Sequence, residues 1–425
     1  MSLIEPTLES KNHTDLALRF ERFARSRDTA ELWPGLTERA RVAAARELER
    51  VVRAVLAGNA NVSIDCDTHE PYAIAIAAYT TGMGPLLGRW AEVGIVDASL
   101  PVHQRFAQHL QHARRRAERI ERELLPALDA LIAAGIAPVM LKGYHTARAY
   151  FEEPALRRMS DVDVLVAAQE VPIAEAALTS VGFRPTSEAD RPYKRDWMAA
   201  TVEDRVWSVE LDDERTKWTL ELHASLDRLF HHGAVARLDS ERSDTVAFDV
   251  QGRRVLALAP AVLLLTLAAH CSHELHNSRL LRLVEIVRLI RAELAAGGLE
   301  WDALLEVMRR TGTAAYVYPA FHLAEDLAPG TIDAKVLAVC ARQSTWAARH
   351  TVSRLAPAGG SPDQRGLIRQ LMWTRGPVAL AERVLRAIWP ASLRRPRDVI
   401  PAWRVRLRRV RAGLVTLRAP DERGG

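Results

Sequence analysis

The apolar residues of this chain change their spacing twice. From Leu36 to Gly135 they recur every three or four positions, as on one face of a helix. "LTERARVAAARELERVVRAVLAGNA" reads as a helix with Thr37 as N-cap, Glu38 behind it and Gly58-Asn59 as the stop. "AIAIAAYTTGMGPLLGRWAEVG" is helical but broken by glycines, and "PVHQRFAQHLQHARRRAERIERELLPALDALIAAG" is one long helix closed by Gly135. Beyond Gly135 the apolar runs shorten to strand length. "IAPVMLKG", "DVDVLVA", "VWSVELDD" and "KWTLELHASL" read as strands, and "TVAFDVQGRRVLALA" as a hairpin turning at Gln251-Gly252. "YHTARAYF" and "EVPIAEAALTSVGF", the latter ending near Gly182, are the helices among them. Helical spacing returns at Pro260 and lasts to about residue 355, where "PAGGSPDQRG" has linker composition.

The expected class is therefore α+β: a mixed sheet with flanking helices, set between helical regions. The expected divisions are an N-terminal helical region over 1–135, an α+β core over 136–258, a helical domain over 259–355 and a basic helical tail over 356–425. Chemistry is expected in the α+β core or at its seam with the helices that follow.

Composition adds limits. Of 425 residues, 48% are hydrophobic and 26% charged, an ordinary globular balance. Three cysteines, Cys66, Cys271 and Cys340, lie far apart and suggest neither a disulfide framework nor a CxxC metal site. The N-terminus has acids early and no apolar signal core, and the run Ala259 to Ala269 is too short to span a bilayer, so a cytoplasmic location is expected. The net charge of +5 is uneven: from Asp363 onward there are 15 Arg, no Lys and five acids, a local +10. Such a tail, with Trp373, Trp389 and Trp403 among its arginines, admits a nucleic-acid or membrane-surface partner, or simple packing against the protein's own helices.

In "DVDVLV", Asp161 and Asp163 alternate with valine, so on a strand both carboxylates face one side, roughly 6.5–7 Å apart at Cα. Two like charges at the start of a buried strand call for a countercharge. A hard divalent ion supplies one, and Mg²⁺ is commonly held by one or two carboxylates together with substrate phosphates. The triplet alone is weak, and "IDCDTHEP" contains a second one, Asp65 and Asp67, in what reads as a solvated loop. The surroundings of the first pair say more. Lys142 and Gly143 end a strand and open a helix, where a phosphate finds a point charge, close backbone approach and a helix N-terminus. Arg157 and Arg158 precede the aspartates and, like Lys142, also suit an ion pair with nearby acids. Glu221, mid-strand between leucines in "KWTLELHASL", needs a partner or a purpose; Glu210 is its rival. His223 shares the face of Glu221 and suits substrate positioning or metal binding as well as packing. His270, His273 and His276 in "HCSHELH" share a helix but lack the spacing of a zinc site.

"VMLKGYHTARAYFEEPALRRMSDVDVLV", followed by "LELHASL", resembles the bacterial family of uncharacterised nucleotidyltransferases, relatives of the DNA polymerase β-type superfamily. The family's pattern falls on Leu141, Lys142, Gly143, Tyr150, Arg157, Asp161, Asp163, Val166, Glu221, Leu222 and His223, and the likeness extends over roughly residues 40–330. It implies a mixed sheet with flanking helices, Asp161, Asp163 and Glu221 as catalytic metal carboxylates for Mg²⁺ or Mn²⁺, and Lys142, Gly143, Tyr144, Arg157 and His223 around the nucleotide. The chain departs from the superfamily in having Tyr144 where Ser or Gly usually follows the glycine, and in carrying Glu285 where relatives often have Asp.

The leading expectation is transfer of a nucleoside monophosphate from an NTP, ATP foremost, to an unidentified acceptor, releasing pyrophosphate. The alternatives are a nucleotide-sugar glycosyltransferase using Asp-x-Asp, and a non-catalytic protein acting on nucleic acid or membrane through its Arg-rich tail.

Overall fold

The computed structural model of the chain describes residues 8–26, 28–66, 69–186, 194–200, 208–226, 228–230, 234–236, 244–275, 279–358, 372–374, 376 and 381. The chain forms two compact units, Met1–Leu226 with Ser240–Ala259, and Asp227–Asp239 with Pro260–Gly425.

The first unit begins with helices α1 (Leu8–Ser26), α2 (Glu38–Leu56), α3 (Pro71–Thr81), α4 (Gly84–Glu92) and α5 (Leu100–Ala133). Thr37 caps α2 by accepting from Ala40 N, as its position before the apolar repeat foretells. The last turn of α5 closes as a Schellman motif: Ile136 N donates to Leu131 O and Gly135 N to Ile132 O, with Gly135 at φ 79°.

Seven strands follow: β1 (Val139–Met140), β2 (Asp161–Leu165), β3 (Phe183–Pro185), β4 (Lys194–Ala199), β5 (Thr219–His223), β6 (Thr245–Val250) and β7 (Arg253–Leu258). Helix α6 (Lys142–Ala149) leaves the end of β1, and α7 (Val171–Ser180) lies between β2 and β3. The sheet order is β6-β7-β1-β2-β5-β4-β3. Two of its pairings, β7 with β1 and β2 with β5, are parallel and the rest antiparallel, so the sheet is mixed.

One face of the sheet is apolar. Val162 and Val164 of β2, Leu220 and Leu222 of β5 and Trp197 of β4 pack with Ile120, Leu124, Ala127, Leu128 and Leu131 of α5 and with Ala174 and Leu178 of α7. The α5 residues recur every three or four positions and form one buried stripe. Each large side chain buried there contributes about 1.5–3 kcal/mol relative to exposure. Period-two alternation then fixes the polar residues of β2 and β5 on the opposite face. A slip of one residue would bury the carboxylates in the apolar layer, so the register is strongly specified.

The second unit holds α8 (Pro260–His273), α9 (Arg279–Ala296), α10 (Trp301–Thr311), α11 (Ala314–Leu327), α12 (Ala334–Gln343) and α13 (Trp346–Val352). Residues Val262–Ala269 of α8 are all buried, which is why that run looked uniformly apolar. Pro319 lies inside α11, and the following Ala320 N donates to Ser272 Oγ at 3.1 Å. Trp373 packs on Tyr316 with ring centroids 5.7 Å apart. No described helix is long and apolar enough to cross a membrane. Trp389, Trp403, His276 and Asp67 lie outside the described residues, as does nearly all of the basic tail.

The observed class is α+β with a mixed sheet and flanking helices, as the period changes imply. The hairpin turns where expected, with Gln251 at φ 50° and Gly252 at φ 81°, the left-handed pair that two-residue hairpin turns require. Two local expectations fail. "VWSVELDD" is not a strand over its described part: residues 208–213 are bends and irregular chain. Side chains satisfy their carbonyls instead of a ladder, since Trp33 Nε1 donates to Val209 O at 2.7 Å and Tyr79 Oη to Ser208 O at 2.5 Å. Conversely, β3 and β4 were not foreseen. β4 reads Lys-Arg-Asp-Trp-Met-Ala, and its charged residues disguise a strand whose polar face belongs to an ionic row.

Candidate functional site

The polar face of β2, β5 and β4 carries the site. Strand register places Asp163 opposite Glu221, and Glu221 opposite Asp196, a row of three carboxylates across three adjacent strands. The next row sets Leu165, His223 and Lys194 side by side. Directly opposed residues share a face, so acids and bases interleave.

Two lysines and a histidine bind the row together. Lys142 Nζ, from the first turn of α6, lies 2.9 Å from Asp163 Oδ1. His223 Nε2 lies 2.8 Å from the same oxygen and 3.4 Å from Glu221 Oε2. Lys194 Nζ lies 2.5 Å from Glu221 Oε1 and 3.3 Å from Asp196 Oδ1. Lys142, Lys194, Asp163 and His223 are all buried. Buried charges persist only when paired in this way.

The carboxyls differ in consequence. Burial works to raise Asp163, but the Lys142 charge and the His223 hydrogen bond outweigh it and hold Asp163 well below the ordinary carboxylate range. Burial works likewise on Glu221, and the His223 hydrogen bond with the Lys142 and Lys194 charges brings it below its usual value. Asp161 shares the Asp163 face but is only half-buried and makes no hydrogen bond or ion pair among the described residues. Burial, and after it the Asp163 charge, raises its carboxyl.

The sequence pointed to Asp161, Asp163 and Glu221. Among the described residues, the group whose ligating atoms all lie within 4.8 Å of one another is Asp163, Glu221 and His223. Asp161 stands beside that group rather than inside it, two residues earlier on β2. Lys142 lies at the site, ion-paired to Asp163. Gly143 lies against Arg157: a Cβ at Gly143 would stand 2.5 Å from Arg157 Nη1 and 3.0 Å from its Cζ. The space opened by the missing side chain holds a guanidinium, at the start of a helix whose N-cap, Leu141, has no capping side chain. A helix start without a capping side chain, beside a planar cation, suits a phosphate.

Tyr144 is placed elsewhere. Its ring is buried in the apolar core, with the Arg148 guanidinium 3.7 Å from its centroid. Arg158 also turns away: it pairs with buried Asp212 at 2.5 Å and lies over the Tyr79 ring at 4.4 Å. Glu210 has other partners: Tyr72 Oη donates to it at 3.1 Å, and Arg19 Nη1 lies 3.9 Å away. In the second unit His270 faces Glu274 at 3.4 Å, and neither His270 nor His273 joins a three-ligand group among the described residues. Sequence reading missed Lys194 and Asp196. The available signal was the alternation of Lys194, Asp196 and Met198 with Arg195, Trp197 and Ala199.

The donor set fits a hard divalent cation. Both Lys142 and His223 contact Asp163 through Oδ1, leaving Oδ2 outside those contacts, and the Asp161 carboxyl, raised by burial and by the Asp163 charge, stands on the same strand face two residues earlier. With His223 Nε2 committed to Asp163, what remains is carboxylate oxygen, the ligand type of Mg²⁺ and Mn²⁺.

A family model described as uncharacterised nucleotidyltransferase matches residues 70–329, more than half of the chain and the whole of this sheet. The chain belongs to this family. As a nucleotidyltransferase it has nucleotidyl transfer as its reaction class and a nucleotide as substrate. No curated protein matches the chain. Among solved structures, the lincomycin-bound crystal structure of lincosamide antibiotic adenylyltransferase LnuA aligns with 34% of this nucleotidyltransferase and 83% of its own chain, at 14% identity and a TM-score of 0.23, too low to carry over its fold or its acceptor.

Proposed function

We propose that the chain is a divalent-metal-dependent nucleotidyltransferase that transfers a nucleoside monophosphate from an NTP, ATP foremost, to an acceptor hydroxyl. The observation that supports this reading best is the convergence of Asp163, Glu221 and His223, with Asp161 alongside, on one sheet face within the family match. Asp161, Asp163 and Glu221 would hold Mg²⁺ or Mn²⁺. Bound there, the metal would supply charge neutralisation for the triphosphate and for the developing alkoxide.

The protein's own groups do the rest. The first turn of α6 and the Arg157 guanidinium bind phosphate oxygens. Lys142 and His223 hold Asp163 in one rotamer through the two contacts on Oδ1. The acceptor oxygen attacks the α-phosphorus in line, a new P–O bond forms, the bond to the β-phosphate bridging oxygen breaks, and pyrophosphate leaves with that electron pair. The hydroxyl proton passes to Glu221, whose Oε2 faces His223 at 3.4 Å.

The test offers the full-length protein each labelled NTP with Mn²⁺ or Mg²⁺ and a cell extract. Label on an acceptor, with stoichiometric pyrophosphate, is the expected result. Release of nucleoside diphosphate, or no metal-dependent turnover with any NTP, overturns the proposal.

A further inference from the structure

Lys194 is the cation of the site that lies outside the motif residues, and it comes from β4, on the far side of β5 from Asp163. Its ammonium is buried, 2.5 Å from Glu221 Oε1 and 3.3 Å from Asp196 Oδ1. Asp196 Oδ1 is itself buried and has no hydrogen-bond partner, so this ion pair is what the structure gives it. Three facts follow from register alone. Asp196 and Glu221 are directly opposed, Glu221 and Asp163 are directly opposed, and Lys194 sits one pair further along the same face, beside His223. Without Lys194, Glu221 would stand between two carboxylates of like charge.

We infer that Lys194 is a positioning residue that both fixes Glu221 and sets how tightly the carboxylate row takes a divalent cation. The inference rests on the metal-dependent reading of the site given above. One carboxylate, Glu221, is shared: Lys194 holds Oε1, and Oε2 is the oxygen that faces His223, which in turn holds Asp163. Pinning Oε1 therefore aims Oε2 at the other ligands, which favours a correctly shaped site. The same positive charge repels any cation that Glu221 helps to hold, which weakens binding. Geometry and affinity thus pull in opposite directions. A residue that served only to hold the sheet together would move both in the same direction when removed.

The experiment measures Mn²⁺ binding to the full-length protein by titration calorimetry and by the electron paramagnetic resonance of free Mn²⁺. It compares the natural chain with Lys194→Met, Lys194→Gln and Lys194→Arg. Lys194→Gln keeps a hydrogen-bond donor for Glu221 and guards against loss of the fold in Lys194→Met. Both neutral variants are expected to bind Mn²⁺ about tenfold more tightly, because a buried like charge on a shared ligand is removed. They are also expected to lose turnover at saturating Mn²⁺, while Lys194→Arg keeps an affinity near that of the natural chain. Unchanged or weaker Mn²⁺ binding in a folded neutral variant, when the natural chain binds the ion, overturns the role of Lys194 alone. No Mn²⁺ binding by the natural chain overturns the metal reading and this inference with it.

Discussion

Asp161 and Asp163 share one face of one strand and are held in opposite states. Asp163 is buried, bound on Oδ1 by both Lys142 and His223, and lowered; Asp161 is half-buried, makes no hydrogen bond or ion pair among the described residues, and is raised by burial and the Asp163 charge. A single apolar residue separates two carboxylates that the fold treats differently.

That difference predicts a split between stability and activity. Asp163→Asn removes the anion that balances buried Lys142, and breaking such a pair costs about 3–5 kcal/mol. Asp161→Asn removes a charge that burial and Asp163 already disfavour, so its melting temperature should stay level or rise. Both should lower pyrophosphate release by about a thousandfold or more, as loss of a metal ligand does. Calorimetry beside a pyrophosphate assay checks this; an Asp161→Asn protein with full turnover rules Asp161 out of the site.

A second prediction concerns the segment before β5. Asp212 is buried, and its carboxylate contacts Arg158 Nε at 2.5 Å and His109 Nδ1 at 3.3 Å. Arg158→Met leaves that carboxylate without its strongest counterion and should cost about 3 kcal/mol in urea unfolding. An unchanged unfolding midpoint would show that His109 and Arg116 balance it without Arg158.

The third prediction is a pH dependence. His145 is buried on α6, edge-on to Phe248 with ring centroids 4.8 Å apart, and its Nδ1 has no hydrogen-bond partner. Burial pushes its imidazole down to about 4. An unfolded histidine titrates near 6.5, so between about 4 and 6.5 the unfolded chain binds more protons than the folded one. The stability from the neutral ring is complete above about pH 6.5 and is lost as pH falls toward 4, at most about 3 kcal/mol. His145→Leu should flatten the melting profile across that interval. A profile identical to that of the natural chain counts against the assignment.

The fourth is a stabilising change. Gln251 occupies φ 50° at the hairpin turn, where asparagine is more at ease than glutamine. Gln251→Asn should raise stability by about 0.5 kcal/mol, and Gly252→Ala, forced to φ near 81°, should lower it by about 1 kcal/mol. Paired denaturant curves decide both.

Sequence reading went furthest where local chemistry and period agreed. Thr37 and Gly135 mark helix ends because capping is local. Asp161 could be placed on one face with Asp163, and Glu221 with His223, because strands alternate, while the resemblance to the family implied that the two strands meet. What could not be read was the pairing between strands: that β4 lies beside β5 is a long-range fact, and only it brings Lys194 to Glu221. Tyr144 was assigned by its neighbours in sequence, yet helical geometry turns it a hundred degrees from Gly143 and into the core. The bends at 208–213 defeated pattern reading because their carbonyls are met by Trp33 and Tyr79, residues more than a hundred positions earlier.

The buried stripe of α5 has a practical corollary for anyone who would excise the seven-stranded sheet. Ile120, Leu124, Ala127, Leu128 and Leu131 form one wall of the layer beneath the acidic strands. A fragment starting after Gly135 would leave Val162, Val164, Leu220 and Leu222 facing solvent where that wall had been. Such a fragment should aggregate or require detergent, and adding the α5 residues back, covalently or as a peptide, should be what makes it tractable.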